Sequence, residues 1–198
     1  MAEGAATQRL HRAHSSSERD RLLLGGVARG DERAFEDLYR NYHPRLVRFL
    51  SNLTRRPQLV EEVLNDTMIV VWEKSAGFRG ASKVSTWIFA IAYRKAMKAL
   101  RRLDEPVEFK SPGGVRSEEP GPDESLWQLE RTSLILAAMQ GLSAEQRTVV
   151  DLTYFHEMSY REIAEIMRCP VDTVKTRMFH ARRHLKRLMA GETADWVD

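Results

Sequence analysis

Trp87 shares one side of a predicted helix with Arg94, Lys98, Arg101 and Arg102. An aromatic ring among cations suits stacking on an unpaired base beside a phosphate track. On a second predicted helix, Thr176, Phe179, Arg183 and Arg187 fall on one face, with Lys175 and His180 on its flanks. Such a face can meet base edges in a major groove, and phosphates at its rim. Neither group contains the paired carboxylates, metal-ligand cluster or Gly-rich phosphate loop that a catalyst needs. The chain therefore reads as a binder with no reaction, metal or cofactor of its own. Taken singly, the second face reads sooner as a solvated surface than as a DNA contact, whereas for the first the two readings are equal, since Trp87 can equally pack on a neighbouring helix.

Charge patterning favours the binding alternative. Lys74 to Arg102 holds eight Lys/Arg and no Asp or Glu, whereas Asp104 to Glu130 holds eight acids against Lys110 and Arg116. Val171 to Met189 then holds six Lys/Arg against Asp172 alone. A net charge of +3 thus hides two concentrated positive segments, each suited to phosphates.

These residues must be positioned by helices. Alternating β-branched runs and Asn-Gly or Asp-Gly turns are absent, and spacings of three and four dominate. The expected architecture is all-α, in two small helical domains. The first covers 21–103, with helices over Asp31–Leu53 (Pro44 marking a break or restart), Gln58–Lys74 after Pro57, and a third capped by Ser85 or Thr86 and ending near Leu103. On that third helix Phe89, Ala92, Tyr93, Ala96, Leu100 and Leu103 form the apolar face, with Ile91 and Trp87 on the basic side. The prolines and glycines of 104–125 predict a linker. The second domain, 126–190, has helix starts marked by the capping boxes Ser143–Gln146 and Ser159–Glu162. Tyr160–Met167, a short turn and Val171–Met189 have the layout of a helix-turn-helix. Val174, Met178, Ala181, Leu185 and Leu188 fall within an arc of roughly 80°, the core stripe such a helix requires. Arg168 stands where glycine commonly ends the first helix, which implies strain of up to ~1 kcal/mol. Cys169 reads as a core thiol.

Composition bounds the rest. With 198 residues, 42% hydrophobic and 30% charged, the chain resembles a soluble helical protein. No apolar run approaches ~18 residues, and a single cysteine cannot form an intramolecular disulfide, so a cytoplasmic protein without membrane insertion is expected. The polar segment 1–20 predicts a disordered tail, and 191–198 a short C-terminal one.

Two stretches resemble a known family. Gly30–Arg102, with AFEDLYRNYHPRLVRFL, VEEVLNDTMIVVWEKSAGFRG and STWIFAIAYRKAMKALRR, is similar to region 2 of the extracytoplasmic-function (group IV) sigma factors. Leu126–Met189, with LSAEQRTVVDLTYFHEMSYREIAEIMRCPVDTVKTRMFHARRHLKRL, is similar to their region 4. The resemblance implies a subunit that binds core RNA polymerase and directs initiation at promoters. Region 2 would engage the β′ clamp helices through Glu61, Glu62, Asn65 and Asp66. Lys83, Trp87, Arg94 and Lys98 would hold the opened −10 strand, with the loop Phe78–Ser85 receiving an extruded base. Region 4 would touch the β flap and read the −35 element through Arg161, Lys175, Thr176, Arg177, Phe179 and His180. Arg177 lies near the apolar side of its wheel and is assigned to phosphate. The family also implies an anti-sigma factor as partner. This chain departs from the family in Asn65, Met68 and His180, where Gln, Phe and Arg are more usual. Two alternatives stand beside this reading: a sigma-like decoy that titrates an anti-sigma factor, and a helix-turn-helix regulator acting without polymerase.

Overall fold

The structure, a computed structural model, describes residues 16–104 and 141–192. Asp104, expected to begin the linker, instead ends a helix, and the rest of the expected linker and the helix start near Leu126 lie outside the described residues. Among the described residues the regular structure is helical throughout. A first helix, α1, spans residues 16–27 and begins inside the segment expected to be a disordered tail. The correction has a physical cause. Tyr42 Oη donates to Asp20 Oδ2 at 2.6 Å, both residues are buried, and Leu24 and Val27 follow on the same face into the core. Residues 1–15 lie outside the described chain.

α2 (Glu32–Thr54) starts at Asp31, whose carboxylate accepts from the amides of Arg33 and Ala34. Pro44 does not break it, contrary to one alternative above: Tyr42, Leu46, Phe49 and Leu50 are fully buried around it and hold the flanking turns. α3 (Pro57–Lys74) opens on the expected proline and runs into a 3₁₀ turn, Ser75–Gly77. α4 (Val84–Asp104) starts earlier than expected, with Trp87 N–H donating to the Lys83 carbonyl at 3.0 Å. Ser85 and Thr86 thus lie inside its first turn and cap nothing.

The second set holds α5 (Ala144–Tyr154), α6 (Tyr160–Met167) and α7 (Val171–Glu192), the last running into the segment expected as a tail. Both predicted capping boxes form, each serine accepting from the amide three residues on while that residue's side chain accepts from the serine amide. α2 packs on α3 and α4, and α7 on α5 and α6. The sets also pack on each other, α4 against α6 and α2 against α5, so one buried cluster runs through both.

Candidate nucleic-acid interface

α4 carries most of the first candidate group. Lys83 and Lys98 are exposed, and Arg94 is half-buried. Trp87 is also half-buried, its ring 5.3 Å from that of Phe78 at 51°, so packing accounts for part of it. Ile91 is buried rather than on the basic side, and Leu103 is half-exposed rather than on the core side. The wheel missed this because α4 touches α2 and α3 on one side and α6 on the other, which leaves little of its circumference free. Beneath the loop before α4 lies a cavity of about 430 Å³, lined by Leu24, Ala28, Phe78, Gly80, Arg21 and Arg79. Gly80, at φ +70°, allows the turn that forms its rim.

The second group sits on the helix-turn-helix. Arg168 ends α6 at φ 50°, ψ 51°, the left-handed conformation expected of it, and its amide reaches back to the Ala164 and Glu165 carbonyls. This reversal aims the start of α7 outward. Val174, Met178 and Ala181 are buried as the stripe predicts, and Leu185 packs against the core. Lys175, Thr176, Phe179 and His180 are exposed, as is Arg161 on α6. Phe179 and His180 meet edge to face at 5.5 Å. Lys175 Nζ is tethered to Asp172 Oδ1 at 2.9 Å, an exposed pair. Arg177 is half-buried, with Nη1 3.6 Å from the half-buried Cys169 Sγ, in keeping with its place near the apolar side.

A third surface lies on α3. Glu61, Glu62, Asn65 and Asp66 are all exposed, and Asp66 is paired with Lys95 of α4 at 2.7 Å. The same face continues into the exposed apolar side chains Ile69 and Trp72, with Phe35 edge-on to Trp72 at 5.1 Å. Sequence reasoning named only the acidic part. The spacing 62, 65, 69, 72 would have revealed the apolar continuation, since these positions share one helical face.

Comparison with known proteins decides the family. Models described as sigma-70 region 2 and sigma-70 region 4 match residues 38–105 and 132–185. The sigma-H factor of Pseudomonas aeruginosa is 28% identical, with 88% of this chain and 95% of that protein covered. The sigma-E factor of Escherichia coli is 30% identical, with 82% and 90% covered. The chain belongs to the extracytoplasmic-function sigma factors of the sigma-70 family. It is a promoter-recognising RNA polymerase sigma factor. In fold it resembles CnrH, solved with the cytosolic domain of CnrY (TM-score 0.65, 22% identity, 87% of this chain and 98% of that one). It also resembles RpoE of Bartonella quintana, solved with the anti-sigma factor NepR (TM-score 0.62, 24% identity, 79% and 96%). No described helix is long and apolar enough to cross a membrane.

In this sigma factor the two domains meet through specific contacts. Lys83 Nζ lies 2.9 Å from Glu162 Oε1, and Asn52 Nδ2 donates to Asp151 Oδ1 at 2.6 Å. His156 inserts its ring between region 2 aromatics, 4.6 Å from Phe89 and 6.2 Å from Phe49. Its Nε2 is 3.2 Å from Asp151 Oδ2, in poor line for a hydrogen bond. Arg48 stacks over Phe155 at 3.7 Å, and Arg147 Nη2 donates to the Leu53 carbonyl at 3.3 Å. Burial works to raise the Glu162 carboxyl, but hydrogen bonds from Lys83 and Ser159 hold it below its usual range. Burial and then the facing Arg168 pull Arg94 below its ordinary value, although an arginine stays charged.

Proposed function

We propose that the two basic surfaces divide promoter reading between them. Lys83, Trp87, Arg94 and Lys98 hold the opened −10 strand. Arg161, Lys175, Thr176, Phe179 and His180 read the −35 duplex, while Arg177 holds phosphate. The cavity under the Phe78–Ser85 loop takes an extruded base, whose unpairing costs a few kcal/mol that contacts in the cavity must return. α3 docks on the polymerase β′ clamp helices, its acidic head giving orientation and on-rate, and Ile69 and Trp72 giving buried apolar area. On this reading the protein works in the cytoplasm without catalysis of its own, and its further partners are the β flap and an anti-sigma factor.

The observation that carries this reading is the difference between the two basic surfaces. One places a ring and a cavity beside its cations, and the other presents exposed Lys175, Thr176, Phe179 and His180 from a helix that a tight turn aims outward. A strand needs the first and a groove the second. Purified chain added to core polymerase should give initiation at defined start sites, read by sequencing transcript 5′ ends. Upstream of those sites a shared −10 and −35 element should appear. Failure to bind core polymerase at all would sink the proposal.

A further inference from the structure

One cavity lies outside every surface assigned above. It has a volume of about 370 Å³ and takes its walls from both domains. Pro44, Arg45 and Arg48 of α2 form one side, and Phe155, His156 and Glu157, from the turn between α5 and α6, form the other. That volume stands at the low end for small-molecule sites and suits a small ligand rather than a duplex. Arg45 and Arg48 have no part in the strand, groove or polymerase contacts.

Both arginines are held against aromatic rings. The Arg48 guanidinium lies 3.7 Å from the centre of the Phe155 ring, and that of Arg45 lies 4.8 Å from Tyr42 and 5.4 Å from Phe89. Stacking fixes a guanidinium while leaving its in-plane N–H donors for an acceptor. Among the described residues neither arginine forms an ion pair with a carboxylate. The Tyr42 hydroxyl beside Arg45 supplies no counter-charge, because burial and then Asp20 push its pKa up and keep it neutral. His156 adds a polar wall whose side chain is only 3% exposed. Its Nε2 lacks an aligned hydrogen bond, and the Asp151 carboxylate 3.2 Å away accepts from Asn52 instead. Among the lining residues Glu157 alone is acidic, and it is exposed, in a left-handed turn at φ 51°. Two cations and a buried imidazole against one exposed carboxylate make a wall that attracts an oxyanion.

We infer that this cavity is a binding site for a small phosphorylated molecule, whose phosphoryl oxygens accept from Arg45, Arg48 and His156. The guanidinium fork matches phosphate geometry, which an ammonium does not. Because α2 and the α5–α6 turn belong to different domains, only the form in which they touch carries the whole site. Occupancy therefore stabilises that contact by linkage. The phosphates of a nucleic-acid backbone offer the same chemistry, and the experiment separates the two sources.

The probe is inorganic pyrophosphate, titrated into the full chain by calorimetry at constant ionic strength. One saturable site is expected, and Arg48→Gln should weaken it by about tenfold or more, the effect of losing one charge-assisted hydrogen bond. Glu157→Gln should bind about threefold tighter, because a screened like charge leaves the wall. Arg33→Gln, exposed elsewhere on α2, changes the net charge as Arg48→Gln does and should keep the parent affinity. Saturating pyrophosphate should also raise the thermal unfolding midpoint of the parent and leave that of Arg48→Gln in place. No saturable site, an equal loss in Arg33→Gln, or unchanged affinity in either cavity variant overturns the inference. Arg48→Gln also removes the stack on Phe155, so its radius of gyration by small-angle X-ray scattering is compared with the parent. If it expands, Glu157→Gln decides alone, since that side chain forms no ion pair among the described residues. Mixed-sequence single-stranded and duplex DNA are titrated in parallel. A loss of DNA binding in Arg48→Gln beyond that in Arg33→Gln would assign the cations to the nucleic-acid backbone and overturn the inference too. None of these readouts needs polymerase or a promoter, so they stay readable if promoter-specific initiation fails.

Discussion

At the scale of single residues, Lys175 separates base reading from phosphate holding. It stands exposed one turn into α7 and is tethered only to Asp172, another exposed side chain. Such a surface pair contributes ~0–1 kcal/mol, so breaking it to reach a base costs little. Lys175→Ala should weaken binding to the −35 duplex by ~1–3 kcal/mol and relax preference at one base position. Competition binding against a set of single-position variants of the duplex reads this directly. A loss equal across all of them would reassign Lys175 to phosphate. Arg177 is expected to behave in that second way, because half-burial beside Cys169 leaves its guanidinium short of the groove floor.

At the scale of elements, what was legible in the sequence was what is local. Ser143 and Ser159 marked two helix starts correctly because a capping box is complete within four residues. Arg168 marked the end of α6 for the same reason. α1 was hidden because its anchor, Asp20 on Tyr42, joins positions 22 apart and looks like tail composition when read alone. Ile91 looks exposed on the basic side because a wheel shows one helix, and α4 has neighbours on both sides. Thr86 illustrates the same limit: its residue type suits a cap, yet its hydroxyl is buried inside the first turn with no hydrogen-bond partner. The capping box of α6 also has a functional consequence, because Glu162 serves both the cap and Lys83. Ser159→Ala removes the hydroxyl that caps the Glu162 amide and bonds its carboxylate. It should cost ~0.5–2 kcal/mol of stability in urea titration. A change below ~0.3 kcal/mol would mean that the Glu162 side chain alone fixes this helix start.

At the scale of the whole molecule, the question is whether two packed domains behave as one. Their shared surface mixes a few aromatic contacts with an ion pair and amide and guanidinium hydrogen bonds. Interfaces of that kind resemble transient associations between proteins more than a core cut in half. Among the described residues region 2 has the larger buried set, from Leu24 to Ala96, whereas region 4 has Leu142, Val149 to Leu152, and the inner faces of α6 and α7. A smaller core leaves less margin over chain entropy. Region 4 should therefore open first, with its amides in α5–α7 exchanging through a lower-energy route than those of α2–α4. Leu152 is fully buried in α5, so Leu152→Ala should lower the stability of that first step by ~2–5 kcal/mol. The exchange of α3, which packs on α2 and α4 within region 2, should stay within error of the parent. Native-state hydrogen exchange along a denaturant series resolves the two steps. If α3 loses protection in step with α5, the domain contact is strong enough to fuse the units, and separating them on a promoter would then require global unfolding rather than hinge-like release.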